Sequence, residues 1–449
     1  MKINKLSSLL NGDTRSVKAK KNIIASGLFK GADLLIYLLL VPVTLGYLNP
    51  YEYGIWLTLN SILAWINSFD IGLGNGLRNK LAEAIAKDDK VLARKYVSTT
   101  FFMLVLLAVF FSVIGIVAVD LVNWNKLLNI TPGTVNNLAS IIKISFFFFC
   151  LNFVLKFVGN VYQALQLPSV MYVMNFAGHL LALIFIYILK FTVPGSLFGV
   201  ALVYSAAPPL VYAITYPITF KRFFKYLSPS YLYFEKIYLK ELFNLSILFF
   251  LIQMASLVLF SLSNLLISNM FGPAEVTPFN IVQRYFSVIP MITNIVIAPM
   301  WSATTDAFTK GDYEWIKATY VKLLKLLGVV FVVLALMVVL SPIVYRLWIG
   351  NKVEIPLVLS VLMAVYSFII MWSHIYGYML NGMGKLKLQT MNTIAVAIFY
   401  YPVCHTLGNR YYVAGIIIGM CVLNLSGLII NGIQFHLVTS RKATGIWNK

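Results

Sequence analysis

Charged side chains are scarce in this sequence, and acidic ones are the scarcest. Only 11% of the 449 residues are charged, with 15 acidic residues against 35 basic ones, whereas 60% are hydrophobic. A soluble domain of this length needs a far more polar surface. The composition therefore excludes a soluble globular protein and indicates a polytopic membrane protein.

Cysteine and histidine are also rare. The three cysteines lie in apolar segments, without the spacing of a disulfide framework, a redox motif or a metal site. The four histidines are scattered, and we interpret them as helix-packing or interfacial residues. They are His179, His374, His405 and His436. The sequence therefore predicts no metal site and no cofactor.

Long apolar runs are what the chain does contain. At about 1.5 Å per residue, each run is long enough to cross a hydrocarbon layer of roughly 30 Å. Hydropathy predicts twelve spanning helices, at residues 22–46, 53–74, 96–120, 137–160, 169–190, 197–220, 241–268, 276–300, 320–341, 355–380, 388–407 and 411–437. The predicted fold class is an all-α polytopic membrane protein, and no connection is long enough to form a soluble domain.

The basic residues predict how the chain is oriented. Of the 35 basic residues, 24 fall in the predicted cytoplasmic segments, and most of these 24 lie before residue 22, in 75–95 and in 221–240. The predicted outer loops hold only Lys126, Lys190, Arg346, Lys352 and Arg410. The positive-inside rule then places both termini in the cytoplasm. The net charge of +20 is thus a topology signal and a contact with anionic head groups, and no nucleic-acid partner is implied.

The two halves of the chain repeat a pattern. A shift of 223 residues places Pro50 on Pro273 and Asp89 on Asp312, within the same order of outer turn, apolar span and charged amphipathic run. Duplication of a six-helix lobe gives parallel repeats, with a central cavity between the lobes. The predicted domains are a basic cytoplasmic N-terminus at 1–21, an N-lobe at 22–220, a cytoplasmic linker at 221–240, a C-lobe at 241–437 and a cytoplasmic tail at 438–449.

Charges inside predicted spans are candidates for function, because each costs a few kcal/mol and usually faces a cavity or a partner. Lys30 and Asp33 are three residues apart on the first helix, so they share a face and are able to pair. Arg284 offers forked donors that suit a phosphate. The alternatives are helix packing for the first two and outward snorkelling for the arginine. We favour a cavity-lining role, because Lys30 lies about 12 Å from the inner end of its helix, too deep to snorkel comfortably. Lys143 and Lys156 point in different directions on the fourth helix and can each snorkel.

A glycine-rich segment ends the second span. Asp70 and Arg78 flank the glycines between Gly72 and Gly76. These glycines do not join a strand to a helix, so a nucleotide-binding loop is not indicated. They are more typical of a bend that brings two helices close together.

Three short runs resemble a known family. FDIGLGNGLRNKLA at 69–82, NPYEYG at 49–54 and NGMGK at 381–385 are similar to runs in Wzx-type polysaccharide transporters. These are flippases of O-antigen and capsule repeat units, within the multidrug/oligosaccharidyl-lipid/polysaccharide exporter superfamily. The resemblance covers essentially the whole chain.

The resemblance implies an inner-membrane transporter rather than an enzyme. It would move an undecaprenyl-diphosphate-linked oligosaccharide between leaflets by alternating access, in contact with membrane lipids and coupled to protons or sodium. A cationic cavity is a recurring feature of such flippases. The residues here that fit such a cavity are Lys30, Arg284, Lys156 and Lys143. The candidates for ion coupling or charge pairing are Asp33 and Asp70. The candidates for a cytoplasmic gate are Arg78 and Lys80.

Other functions fit the sequence less well. A MATE-like cation-coupled drug or metabolite antiporter shares the superfamily fold, but its site favours acidic residues, and embedded bases outnumber them here. Peptidoglycan-precursor flippases usually have fourteen spans. A membrane enzyme needs a catalytic set, yet the longest outer loop, 121–136, has no carboxylate, histidine or cysteine.

Overall fold

The computed structural model describes residues 14–68, 73–131, 133–135, 137–165, 167–244 and 262–448. The chain divides into two compact units, Met1–Gln253 and Met254–Lys449. All regular structure in the described ranges is helical. This confirms the all-α class.

The principal helices of the first unit are α1 (Thr14–Tyr47), α2 (Pro50–Leu63), α3 (Leu73–Ala86), α4 (Lys90–Leu121), α5 (Leu138–Leu155), α6 (Phe157–Ala164), α7 (Pro168–Thr192), α8 (Leu197–Pro217) and α9 (Ile237–Asn244). Those of the second unit are α10 (Leu262–Phe271), α11 (Pro273–Thr309), α12 (Tyr313–Ile349), α13 (Leu357–Gly382) and α14 (Lys387–Thr439).

Eight helical segments among the described residues are long and apolar enough to cross a membrane. The longest, α14, contains two predicted spans, because the backbone breaks at Tyr412 with φ 61° and ψ −146°. The predicted span 53–74 begins in α2 and continues as a 3₁₀ helix to Ser68. Part of the predicted span 241–268 lies outside the described residues. Elsewhere the described helices coincide with the predicted spans, although α11, which covers the predicted span 276–300, is not among the eight segments. The predicted count of twelve is thus consistent with the structure and not fully confirmed by it.

Helix packing in the first unit brings α1 against α7, and α8 against both α5 and α7. A small residue permits one of these approaches. A Cβ added at Gly178 of α7 would lie 3.4 Å from Cα of Pro208 in α8. Small residues at such crossings let helix backbones come close enough for dispersion contacts, which replace the hydrophobic effect inside a bilayer.

The amphipathic run after the second span forms α3, as its apolar spacing predicts. Leu77 and Leu81 are fully buried, whereas Lys87 is exposed. The run does not continue as one helix to residue 95. It ends in a turn at Asp88, where φ is 54°, because the side chain of Asp89 accepts a hydrogen bond from a backbone amide and caps α4.

The two units begin equivalent helices in the same way. Asp89 caps α4 by accepting from the amide of Leu92 at 2.8 Å. Asp312 caps α12 by accepting from the amide of Trp315 at 2.9 Å. These are positions that the shift of 223 residues aligns, so a local structural feature accompanies the sequence repeat.

The segment after α8 packs against the first unit through side-chain contacts with α4. Arg94 of α4 donates from Nε to the carbonyl oxygen of Ser228 at 2.9 Å, and its guanidinium lies 4.3 Å from the ring centre of Tyr233. Lys95 forms an ion pair with Glu235 at 2.8 Å. The predicted linker is therefore an ordered part of the first unit up to α9.

Candidate functional site

Polar side chains meet where α1 packs along α7. Lys30, Asp33 and Tyr37 lie on α1, and Tyr172 and His179 lie on α7. We call these five residues the α1–α7 cluster. Residues three or four apart share a helix face, and seven residues make about two turns, so each helix contributes a single polar stripe.

The centre of the cluster is a carboxylate–imidazole contact. Oδ1 of Asp33 lies 2.6 Å from Nδ1 of His179, and the two side chains are 23% and 36% exposed. The contact needs a proton on one of the two atoms, so it is either an ion pair or a neutral hydrogen bond. The imidazole ring centre is also 6.0 Å from that of Tyr37. The partner of Asp33 is thus on a neighbouring helix, whereas the sequence suggested Lys30.

Lys30 contacts an aromatic ring. Its Nζ lies 6.0 Å from the ring centre of Tyr172, and the side chain is half-buried. A ring face attracts a cation through its quadrupole without accepting conventional hydrogen bonds. The three N–H donors of the ammonium therefore suit an anionic ligand.

A neutral hydrogen bond supports this region from the side of α8. The hydroxyl of Tyr212 donates to Oδ1 of Asn175 at 2.9 Å. Asn175 lies one turn before His179 on α7. The bond therefore ties α7 to α8 beside the α1–α7 cluster and fixes the orientation of the helix that carries the imidazole.

The other predicted cavity cations lie elsewhere. Arg284 is half-buried on α11 in the second unit. Lys156 joins α5 to α6, and its Nζ is 5.6 Å from the ring centre of Phe153. Lys143 forms an ion pair with Asp120 at 2.6 Å, at the end of α4. That pair is partly exposed, so it gives Lys143 a simple structural role.

The predicted gate residues lie on α3. Arg78 is exposed, and Lys80 pairs with Glu83 at 3.5 Å. The exposed Lys87 lies closer to the same carboxylate, at 2.7 Å, and this hydrogen bond lowers the pKa of Glu83. The structure places these charges on a solvated helix face. Asp70 lies outside the described residues.

His179 is the residue that sequence reasoning missed. It lies in a predicted span together with apolar neighbours, and the sequence placed it among the packing histidines. One signal was available: a carboxylate inside a span needs a partner. The other histidines differ, since His405 stacks on Tyr401 and His436 lies beside an aromatic pair. Among the described residues, no three His, Cys, Asp or Glu side chains lie close enough to hold a metal ion.

Solved structures with a similar fold are membrane transporters. One, titled "Inward-facing conformation of a multidrug resistance MATE family transporter of the MOP superfamily", has a TM-score of 0.71 at 16% identity, covering 92% of this chain and 96% of its own. Another, "Crystal structure of MATE in complex with MaD3S", has a TM-score of 0.62 at 17% identity, covering 96% and 98%. At these identities the likeness shows the fold alone, and the fold is that of the MATE transporters.

Sequence relatives lead to a narrower group. Two Salmonella proteins carry the name "Putative O-antigen transporter". The one from Salmonella typhi is 22% identical over 420 residues, which is 91% of this chain and 93% of the relative. The one from Salmonella typhimurium is 21% identical over 408 residues, covering 86% and 90%. The family described as "Polysaccharide biosynthesis protein" matches residues 19–304, more than half of the chain. The chain is therefore a multi-pass membrane transporter that belongs to the polysaccharide biosynthesis protein family, as its resemblance to Wzx-type exporters predicts.

Proposed function

We propose that the protein moves an undecaprenyl-diphosphate-linked oligosaccharide repeat unit from the cytoplasmic to the outer leaflet of the inner membrane by alternating access. The repeat unit would belong to an O-antigen, a capsule or an exopolysaccharide. The family and the names of the relatives support the substrate class. The observation that carries the proposal is a half-buried ammonium, Lys30, in a helix long and apolar enough to span a membrane.

The chemistry of the substrate explains why a cation is needed there. A diphosphate cannot enter hydrocarbon unaided, because each desolvated charge is very costly. In the proposed mechanism Lys30 and Arg284 replace the hydration of the diphosphate while the polyprenyl chain stays in lipid. Arginine suits this role because its forked donors match phosphate oxygens. Lys156 and Lys143 are weaker candidates, and Arg78 and Lys80 are placed at the cytoplasmic entrance.

Asp33 has a separate role in this proposal, which is ion coupling. Its Oδ1 lies 2.6 Å from Nδ1 of His179, and this contact needs a proton on one of the two atoms. Proton movement on or off this pair changes the charge beside Lys30 during the transport cycle. The proposed orientation has both termini in the cytoplasm.

Deletion of the gene tests the substrate class. We expect lipid-linked repeat units to accumulate on the cytoplasmic face, measured by the access of a membrane-impermeant enzyme to the glycan in inverted and right-side-out vesicles. Complementation with Lys30→Gln or Arg284→Gln should restore export poorly at equal expression. The matched control is Lys126→Gln, which removes the same charge from an exposed residue in a predicted outer loop and should export normally. Normal export by both cavity variants would contradict the proposed diphosphate contacts.

A MATE-like antiporter of drugs or metabolites is the second candidate. The fold and the carboxylate in α1 favour it, because a cationic substrate would compete with a proton at Asp33. Loss of drug resistance on deletion, with no change in lipid-linked glycan, would select this function over the first.

A further inference from the structure

An apolar groove of about 540 Å³ lies on the second unit between α13 and α14. Its walls include Trp372, Tyr376, Leu428, Ile433, His436 and Ser440. None of these residues belongs to the α1–α7 cluster or to the proposed diphosphate contacts. We call this feature the α13–α14 groove.

The exposed residues of α14 indicate whether the groove faces hydrocarbon or lipid head groups. They recur every three or four positions and therefore form one stripe along the helix. From the outer part toward the end of α14 the stripe reads Val422, Leu425, Ile429, Ile433, His436 and Ser440. It is apolar for four positions and polar for the last two. This change is what a helix shows where it passes from hydrocarbon into the head-group region.

The length of the groove fits one leaflet. Leu428 and Ser440 are twelve residues apart, or about 18 Å at the α-helical rise. One hydrocarbon leaflet is roughly 15 Å thick, half of a typical core. A groove of this length would reach from the membrane surface at the end of α14 to about the middle of the bilayer.

The floor of the groove is fixed before any ligand binds. The hydroxyls of Tyr376 and Tyr320 are 2.6 Å apart and hold the Tyr376 ring in place. A Cβ added at Gly432 would lie 3.3 Å from that ring, so the absence of a side chain there gives the ring its room. A preformed groove loses little conformational freedom on binding.

Two cations lie beyond the polar end of the groove. Arg441 and Lys442 follow α14 directly and are exposed. The guanidinium of Arg441 lies 4.5 Å from the ring centre of Tyr313. The chain after them folds back, and Nε2 of Gln434 donates to the carbonyl oxygen of Trp447 at 3.1 Å. These contacts keep both positive charges at the end of α14.

We propose that the α13–α14 groove binds an acyl chain of an anionic phospholipid of the cytoplasmic leaflet, with the lipid phosphate at Arg441 and Lys442. Hydrocarbon suits the apolar part of the groove, because Leu428 and Ile433 offer water no hydrogen-bond partner. The groove spans one leaflet, which suits an acyl chain and not the much longer polyprenyl chain of the transport substrate. The basic end selects an anionic head group. The proposal depends on the cytoplasmic placement of this end and is independent of the glycan substrate.

Photo-crosslinking of the purified full-length protein tests the proposal without transport substrate. The protein is placed in phosphatidylcholine nanodiscs that contain a small fraction of photoreactive phosphatidylglycerol or phosphatidylcholine with the same diazirine-bearing chain. Labelled peptides are identified by mass spectrometry. We expect phosphatidylglycerol to label the groove peptides preferentially, by about fivefold for each basic contact. Equal labelling by the two lipids would mean ordinary surrounding lipid and overturn the proposal.

Paired variants locate the head group and the chain. Arg441→Gln with Lys442→Gln should reduce labelling by phosphatidylglycerol to the phosphatidylcholine level. The control is Arg346→Gln with Lys352→Gln. It removes one charge from the end of α12 and one from the loop that follows, far along α12 from Tyr313, which contacts Arg441. This control should leave the labelling by phosphatidylglycerol unchanged. Should the first double variant elute as an aggregate, Lys442→Gln alone is used, with a loss of about fivefold expected.

A bulky side chain should close the groove. Ile433→Trp places an indole in it, whereas Val422→Trp changes the same exposed stripe at a position that does not line the groove. We expect only the first to abolish preferential labelling. Preferential labelling by phosphatidylglycerol in the Ile433→Trp variant would refute the acyl-chain assignment. So would a competition experiment in which a photoreactive polyprenyl phosphate displaces phosphatidylglycerol and labels the groove peptides instead. Because glycan export is not measured, a negative result here leaves the proposed transport function standing.

Discussion

A double-mutant cycle across the Asp33–His179 contact tests the structural basis of the candidate site. The variants are Asp33→Ala, His179→Ala and the combination, compared with the parent protein. If the two side chains share a hydrogen bond, removing either one loses it, and removing the second costs little more. The free energies of unfolding of the single variants then fail to add.

The geometry sets the size of this coupling. A hydrogen bond to a charged group contributes about 1.5–3 kcal/mol. The exposed fractions of 36% for His179 and 23% for Asp33 leave both groups partly screened. We therefore expect a coupling free energy of about 1–2 kcal/mol at neutral pH. It is measured by reversible denaturant unfolding in mixed micelles, followed by circular dichroism.

A control cycle pairs Asp33→Ala with Thr192→Ala. Thr192 lies at the exposed end of α7, thirteen residues or about 20 Å from His179, and its hydroxyl bonds only within its own helix, to the carbonyl of Ile188 at 3.0 Å. The control changes should add within about 0.5 kcal/mol. If the Asp33–His179 cycle is equally additive, the contact carries no energy and the α1–α7 cluster is not a functional unit.

Three further predictions concern stability, each measured by thermal or denaturant unfolding. Gly382→Val should destabilise by more than about 2 kcal/mol, because even a Cβ would lie 2.6 Å from the carbonyl oxygen of Trp301; a neutral change would disprove this helix contact. Asp89→Ala should cost about 1 kcal/mol through loss of the α4 cap, and no loss would mean that the cap is dispensable. The hydrogen bond from Lys87 lowers the pKa of Glu83. The stabilisation by ionised Glu83 is therefore fully present above the pKa of the unfolded state and is lost as pH falls through the lowered pKa of the folded state. Glu83→Gln should therefore flatten the acid limb of the plot of stability against pH. An unchanged acid limb would contradict this assignment of the hydrogen bond.

Sequence patterns predict the features that depend on local spacing. The spans follow from apolar length, because a helix must satisfy its backbone within the bilayer. The buried face of α3 follows from the helical recurrence of Leu77 and Leu81. Asp89 and Asp312 could have been identified as caps, since a short acid before an amphipathic run is the usual start signal.

Tertiary pairing is what the sequence could not supply. Spacing shows that Lys30 and Asp33 share a face, but which helix opposes that face depends on how α1 and α7 rotate against each other. Asp33 therefore found its partner in His179. The contact between Lys143 and Asp120 was easier to foresee, because α4 and α5 are neighbours in sequence and share an end. Arg94 donates a hydrogen bond to a backbone carbonyl. Every residue has a backbone carbonyl, so the sequence carries no signal that would identify this partner.

Proton count at the α1–α7 cluster distinguishes the two candidate functions. With one proton shared between Asp33 and His179 the pair is neutral, and Lys30 gives the cluster a charge of about +1. Adding a proton raises that charge and favours a diphosphate, whereas removing one lowers it and favours a cation. Binding linkage is reciprocal. An anionic substrate must therefore raise the affinity of the α1–α7 cluster for a proton, and a cationic substrate must reduce it. Calorimetric titration in buffers of different ionisation enthalpy measures the sign directly: proton uptake on binding a polyprenyl diphosphate supports the flippase, and proton release on binding a cationic drug supports the antiporter.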